Sequence, residues 1–391
     1  MAADEFSDLE PMTEGIVPIA VEERWERVAR ARELMAEHGM DAIYLEAGAS
    51  LLYFTGVRWG RSERMLAAVI PARGEMAFVC PAFEEPRLRQ ALTMTDDVRP
   101  WEEHESPYKL VAGILRDRGV ATGRVGMEGG VRFFLYDGIR AEAPAAEFPS
   151  ADPVVIGCRV IKSAHELELM QRAMDITSAA YQACLPLLEE GMTPAEFGAN
   201  AAAAHKALGV QGGIGAQFGE GTAFPHGSDP ATPLGEGDVV LMDGGCTVEG
   251  YHSDISRTIV FGEPTARQRE VWELEKAAQA AGFAAAQVGA PCEAVDAAAR
   301  KVITDAGFGP DYKVPGLPHR TGHGIGLEVH ECIHLVRGNR TPLAPGMCFT
   351  NEPMIAIYGE FGVRLEDCMY IAEDGPRFFT QPSPSIDQPF A

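Results

Sequence analysis

Four carboxylates stand where apolar strand-like segments begin or end. Asp243 follows Val239-Val240-Leu241-Met242, and Asp254 opens Ile255-Ser256-Arg257-Thr258-Ile259-Val260. Glu352 ends Cys348-Phe349-Thr350, and Glu366 follows Val363-Arg364-Leu365. An acid buried in such a place without a counter-charge is costly by several kcal/mol. One Asp of this kind reads as a turn residue. Four, together with His323 held between Gly322 and Gly324, read as a metal site. One imidazole and four carboxylates can hold two divalent ions close together, with acids bridging them. An oxygen-rich set without thiolate favours Mn²⁺, Co²⁺, Fe²⁺ or Zn²⁺ over a purely structural zinc. Such a pair lowers the pKa of a bridging water and clamps both attacking and leaving centres, so hydrolysis is its natural use.

Six of the ten histidines, at 226, 252, 319, 323, 330 and 334, fall around these acids. In His319-Arg-Thr-Gly-His323-Gly-Ile-Gly-Leu-Glu-Val-His330-Glu331 the glycines let backbone approach a ligand closely. His323 and His330 can then face one cavity, as metal ligand and as donor to a reaction intermediate. His205, and with it His252, reads as a hydrogen-bonded core histidine, and His38, His104 and His165 as surface residues.

The elements that must position these groups show a repeat. Ser163-Ala-His-Glu166 has capping-box form and starts a helix to about Glu190, with Gly191 as its stop; a second helix starts at Thr193-Pro194 and is closed by Gly209. A helix over Ala266–Gln287 ends at Gly289 and another ends at Gly307, so both stops recur after 98 residues. Pro225-His226-Gly227 is answered by Gly322-His323-Gly324, and Asp243 and Glu352 each lie six residues after a glycine, Gly237 and Gly346. The pattern implies a duplicated α+β domain with a pseudo-two-fold axis, each half presenting acids to the middle. Before it, helix Glu23–His38 and short strands at Ala42–Leu45, Leu51–Phe54, Met65–Ile70 and Met76–Val79 indicate an α/β domain with a mixed sheet. Pro, Ser and Asp cluster at Pro149–Pro153, which places the boundary near 155, giving domains 1–155 and 156–391.

The whole chain of 391 residues carries 33 basic and 57 acidic side chains, a formal net charge of −24, with 46% hydrophobic residues. It can bury a large core, and its acidity with no Lys/Arg-rich tract argues against nucleic-acid or anionic-membrane partners. No apolar run approaches the ~20 residues of a membrane span. The first 20 residues hold five acids and no basic residue, unlike a secretory signal. Eight scattered cysteines without a C-x-x-C pair read as reduced thiols, so a cytoplasmic location is expected. The tail from Gln381 reads as a surface strap.

These stretches resemble the creatinase/prolidase/methionine aminopeptidase superfamily, whose catalytic domain has the "pita-bread" fold. The resemblance rests on Pro225-His226-Gly227, Met242-Asp243-Gly244-Gly245, Gly250 to Thr258, the His319–Glu331 run, Thr350-Asn351-Glu352-Pro353 and Gly362 to Asp367. It covers most of residues 160–375, and the preceding α/β domain fits the creatinase-type N-domain. It looks closest to the short prolidases, or Xaa-Pro dipeptidases: the N-domain excludes a bare methionine aminopeptidase, and the filled metal positions disfavour metal-free creatine hydrolases and non-enzymatic relatives. The resemblance implies that Asp243, Asp254, His323, Glu352 and Glu366 bind two divalent ions per subunit, Mn²⁺ first, with Zn²⁺, Co²⁺ or Fe²⁺ also admissible. A bridging hydroxide would attack the amide before proline, Glu352 would shuttle its proton, and His226 and His330 would bind substrate and oxyanion. Arg364 would orient Glu366, and His319 would line the imino-acid pocket. A small peptide substrate and a homodimer are also implied.

Two departures bear on specificity. Short prolidases often carry an Arg four residues after the equivalent of His330, to grip the dipeptide carboxylate; here that position is His334, followed by Arg337 and Arg340. A Gly commonly follows the Pro of Glu352-Pro353, and here it is Met354. Arg337, or Trp59 or Arg61 from a second subunit's N-domain, is expected to replace the missing clamp. The alternatives are an Xaa-Pro aminopeptidase on longer peptides, a small-molecule enzyme such as an ectoine hydrolase or a dimethylsulfoniopropionate lyase, and a non-catalytic binding protein.

Overall fold

A computed structural model of the chain describes residues 5–228 and 230–390. They form two compact units, Pro18–Arg159 and Val160–Ala391, the second joined by the chain up to Val17.

The first unit contains α1 (Val21–Glu37), β1 (Ala42–Glu46), α2 (Ala49–Thr55), β2 (Ala67–Pro71), β3 (Ala77–Pro81), α3 (Glu85–Ala91), β4 (Val98–Trp101), α4 (Pro107–Asp117), β5 (Val125–Met127), α5 (Phe133–Glu142) and α6 (Asp152–Arg159). Its sheet runs β4-β3-β2-β1-β5. β2 pairs antiparallel with β1 and β3, whereas β5 and β4 pair parallel with β1 and β3, so the sheet is mixed. Every residue of β1, β2 and β3 is buried, which is why these strands are continuous apolar runs rather than alternating ones. The segment Leu51–Phe54, expected as a strand, is helical within α2. Gly56 closes that helix in the left-handed region at φ 76°, and Leu51, Tyr53 and Phe54 are all buried. A four-residue apolar run buried on most sides carries no period by which strand and helix can be told apart.

The second unit contains α7 (Ala164–Cys184), α8 (Pro194–Ala207), β6 (Gly212–Phe218), β7 (Val239–Val248), β8 (Tyr251–His252), β9 (Ile255–Val260), α9 (Ala266–Ala285) and α10 (Cys292–Asp305). It continues with β10 (Gly322–Gly324), β11 (Glu331–Leu335), β12 (Cys348–Asn351), β13 (Met354–Ile357), β14 (Phe361–Arg364), β15 (Asp367–Ala372) and β16 (Gly375–Phe378). Ser163 and Thr193 each accept from the N–H three residues on, while Glu166 and Glu196 reach back to complete the capping boxes. α7 ends at Cys184, short of Glu190, in a 3₁₀ turn over Leu185–Leu187 that contains Pro186. The repeat is visible in the backbone: Gly191, Gly209, Gly289 and Gly307 all have positive φ, and α8 and α10 are each 14 residues long.

One sheet has β6, β7 and β8 in order with β9 on β7; the other runs β11-β10-β12-β15-β16, and β13-β14 form a hairpin. Val239, Leu241, Trp272, Ile303, Met354 and Val363 share one core between the first sheet, the hairpin and helices α9 and α10. The tail is more than a strap, since Ile386 is buried in that same core.

Candidate metal centre

Asp243 lies inside β7, not at a strand end as expected. Its register continues across β6 and β9, opposite Gly215 and Ser256. The strand runs on through Gly244 and Gly245 because neither carries a side chain: a Cβ would stand 2.2 Å from the Gly213 carbonyl oxygen and 2.0 Å from that of Ser253. Asp254 occupies the step from β8 to β9, where its carbonyl accepts from the Cys368 thiol at 3.2 Å. His323 is central in the three-residue β10, and a Cβ on the neighbouring Gly322 would stand 2.0 Å from the Thr350 carbonyl oxygen. Glu352 leaves the end of β12 with its N–H bonded to the Thr321 carbonyl at 2.8 Å. Glu366 sits between β14 and β15, and its backbone exchanges hydrogen bonds with Ser256 at 3.3 and 3.2 Å, joining the two sheets.

The side chains converge. Donor atoms of Asp254, His323 and Glu366 all lie within 4.8 Å of one another. His323 Nδ1 is 3.0 Å from the Gly324 carbonyl oxygen, which requires the proton on Nδ1 and turns the Nε2 lone pair inward. That lone pair faces Glu352 Oε1 at 3.2 Å and Asp254 Oδ2 at 3.7 Å. Ser256 Oγ is 3.0 Å from Asp243 Oδ1 and 2.5 Å from Glu366 Oε2, and accepts from Arg364 Nε at 3.0 Å. The hydroxyl has one hydrogen, so it can serve only one of the two acids. Arg364 Nη2 is 2.7 Å from Asp243 Oδ2, and its Nη1 donates to the Pro225 carbonyl at 3.3 Å. Glu366 Oε1 is buried without a hydrogen-bond partner.

These acids do not fit together as free anions. Burial, reinforced by the charges of Asp243 and Glu352, holds the Asp254 carboxyl well above its ordinary range. Burial and the other three acids do the same to Glu366, and burial pushes Glu352 up to about 7 against the pull of Arg364. Burial also holds His323 down to about 3, so its ring is neutral. Inward-facing lone pairs, an unpartnered buried carboxylate oxygen and a neutral imidazole form a donor set that fits a divalent cation.

A cavity of about 420 Å³ opens on this cluster, and His226, His252, His330 and Arg364 line it with the acids. His252 is thus half-buried at the cavity wall, while His205 is a core residue bonded through Nδ1 to the Ala201 carbonyl at 2.8 Å. His330 has its ring centroid 4.2 Å from that of His323. The loop that carries it is fixed by Glu331, which pairs with buried Lys162 at 2.8 Å and accepts from the Leu327 N–H at 2.9 Å. His334 is opposite His323 in the β10–β11 register, so both project from the same face. His319 bonds through Nδ1 to the Arg320 carbonyl at 2.7 Å, leaving Nε2 buried and unpaired, and burial holds its ring down to about 4.

Arg337 is not brought to this cavity. It is exposed, pairs with Asp311 at 2.7 Å and lines a different hollow beside α10. Within the first unit, Trp59 lies under the Arg87 guanidinium, and Arg61 donates to the Ala47 carbonyl at 3.0 Å. Arg320 was not singled out from sequence. It has no side-chain hydrogen bond or ion pair among the described residues, yet its charge bears on Glu352, His323, His330 and His334. Its position directly after His319, inside the histidine-rich run, was the available signal.

The chain is similar to known metallopeptidases in sequence and in fold. The model of metallopeptidase family M24 matches residues 168–373, and that of the creatinase/prolidase N-terminal domain matches residues 27–161. The chain is 33% identical to the Xaa-Pro dipeptidase of Lactobacillus delbrueckii subsp. lactis, over 90% of this chain and 96% of that one. The crystal structure of dipeptidase PepE from Mycobacterium ulcerans superposes with a TM-score of 0.84 at 30% identity, covering 93% of this chain and 97% of that one. A recombinant prolidase from Thermococcus sibiricus gives a TM-score of 0.84 at 27% identity, covering 92% and 97%. The fold is therefore a creatinase-type N-terminal domain with a mixed sheet, followed by a pita-bread catalytic domain.

Proposed function

The chain belongs to metallopeptidase family M24, and on that premise we propose that Asp243, Asp254, His323, Glu352 and Glu366 hold its divalent metal for the hydrolysis of Xaa-Pro dipeptides. The observation that carries the assignment is the inward-facing donor set, in which His323 Nε2 stands 3.2 Å from Glu352 and 3.7 Å from Asp254. Divalent ions bound there would polarise the scissile carbonyl and lower the pKa of the attacking water.

The residues of the chain divide the remaining work. The nitrogen of an Xaa-Pro bond is a tertiary amide and can leave only once protonated, so a group must carry a proton from the attacking water to that nitrogen. Glu352 is the acid suited to this, with Oε1 held by the Thr350 hydroxyl at 3.2 Å at the cavity wall. His330 and His226 line the same cavity as donors to the developing oxyanion. Arg364 braces Asp243 and, through Ser256, Glu366, and so fixes acids from both sheets. His319 and His334 bound the substrate side. Arg320, with its guanidinium unengaged, is the better candidate to receive the substrate carboxylate, since Arg337 is spent on Asp311. The replacement of an Arg by His334 supports a second reading, cleavage of longer peptides as an Xaa-Pro aminopeptidase, in which the carboxylate grip matters less. Eight free cysteines, seven of them buried, support a reducing cytoplasmic setting, and the homodimer is carried over from the sequence resemblance.

The test is hydrolysis of Ala-Pro and Leu-Pro beside Leu-Pro-Gly and Leu-Ala. Dipeptide cleavage should vanish with EDTA, return with Mn²⁺, and fall about 10²- to 10⁴-fold in Glu352→Gln. Chelator-resistant cleavage would exclude the metal route, and preference for the tripeptide would select the second reading.

A further inference from the structure

A buried polar network stands next to the acids, and none of its members has a part in the chemistry above. Gln279 on α9 is 2% exposed, and Asn351, Asp367 and Arg257 are fully buried. Gln279 Nε2 donates to the carbonyl oxygens of Asn351 at 3.3 Å and Leu365 at 3.1 Å, and to Asp367 Oδ2 at 3.0 Å. Asn351 returns a bond from Nδ2 to the Gln279 carbonyl at 2.9 Å. All three acceptors adjoin proposed metal ligands in the chain: Asn351 precedes Glu352, and Leu365 and Asp367 flank Glu366. One amide therefore ties the end of β12 to the β14–β15 junction.

The opposite side of Asp367 is held as firmly. Arg257 Nη2 donates to Asp367 Oδ1 at 2.7 Å, and its Nη1 to the carbonyls of Ser256 at 3.0 Å and Glu366 at 2.9 Å. The helix surface is shaped for the contact: a Cβ on Gly282 would stand 3.0 Å from Asn351 Oδ1. Two amide hydrogens shared among three buried acceptors leave no slack, and a side chain without donors would take a donor away from all three.

We propose that Gln279 is a positioning residue of the metal centre, fixing the separation of Glu352 and Glu366 through Asn351, Leu365 and Asp367; this rests on the metal-centre reading above. Metal ligands must sit within about 0.2 Å of their required distances, so a hold on the backbone beside two of them acts on affinity. Groups that orient ligands in this way typically change metal affinity by about 10- to 100-fold.

The test uses the chelator-stripped full chain titrated with MnCl₂ in a calorimeter, for the parent, Gln279→Leu and Gln279→Glu. Gln279→Leu should bind Mn²⁺ about 10- to 100-fold more weakly, with KM for Leu-Pro at saturating Mn²⁺ unchanged. Gln279→Glu keeps the shape and one donor when protonated, so its affinity should fall between the other two. A purely structural role would lower the melting temperature of stripped Gln279→Leu and leave the Mn²⁺ affinity of the folded protein unchanged, and that result overturns the proposal. If Gln279→Leu does not fold, Gln279→Glu is held to the same criterion. A parent that binds no Mn²⁺ would overturn the metal-centre reading, and this inference with it.

Discussion

Stripping the divalent ions is expected to lower the melting temperature by roughly 5–11 °C. In the metal-free protein, buried Glu352 and Glu366 and half-buried Asp254 crowd beside Asp243, and the Arg364 guanidinium touches the cluster 2.7 Å from Asp243. The single Ser256 hydroxyl hydrogen serves either Asp243 or Glu366. Such a cluster relieves its repulsion by taking up protons, and an ion that binds only the folded chain replaces those protons with a stronger counter-charge. At a metal concentration a hundredfold above Kd the gain is about 2.7 kcal/mol. A folding unit of 150–250 residues moves by about 2–4 °C per kcal/mol, which gives the range above. The assay is differential scanning calorimetry at pH 7.5, comparing EDTA-treated, dialysed protein with the same protein in MnCl₂. Asp254→Asn supplies the control. With one acid of the cluster neutralised, its stripped form should melt at or above the stripped parent, and Mn²⁺ should no longer raise that temperature. Equal melting of stripped and loaded parent, or a full Mn²⁺ response in Asp254→Asn, would refute the reasoning.

Three further outcomes are expected. Arg320→Met should raise KM for Leu-Pro by roughly 10- to 150-fold, the equivalent of a hydrogen bond of about 1.5–3 kcal/mol to a charged group. Arg337→Ala should leave it unchanged because Asp311 engages that guanidinium, and the reverse pattern in steady-state kinetics would restore Arg337 as the clamp. His205 is fully buried and burial lowers its pKa from 6.5. Its contribution to stability is therefore intact above that value and lost as pH falls below it, when the unfolded chain binds the proton first. The urea midpoint of the parent should fall relative to that of His205→Leu between pH 7 and pH 5, and parallel midpoints would disprove the assignment.

Much of the site is legible in sequence because a metal centre imposes residue types on the chain. Acids beside apolar strands and a histidine between glycines have few other uses, and the structure brings Asp243, Asp254, His323, Glu352 and Glu366 together. Helix starts are legible for a similar reason, since Ser163 and Thr193 carry their partners three residues on. Legibility stops where a role depends on an encounter between distant segments. Gln279 is an unremarkable helical glutamine until it meets Asn351 and Leu365. Arg337 is next to the histidine run in sequence and is diverted by Asp311, which no local pattern announces. Asp243 looks like a strand end because glycines follow it, whereas those glycines let neighbouring backbone close in and the strand continue.

The bond between Ser256 and Glu366 joins residues 110 positions apart in sequence. At about 5–20 residues per second, a ribosome needs roughly 5–20 s to make the intervening chain. Throughout that interval Asp243 and Asp254 lack Glu366, and for the earlier part of it they lack His323 and Glu352 as well, and two carboxylates alone would retain a divalent ion poorly. With the proposed ligands, loading would therefore await closure of the second sheet on the first, a contact of high sequence separation and late formation. A chain cut short by failed translation or proteolysis before Glu366 would lack part of the proposed cage, so metal retention would distinguish finished molecules from unfinished ones.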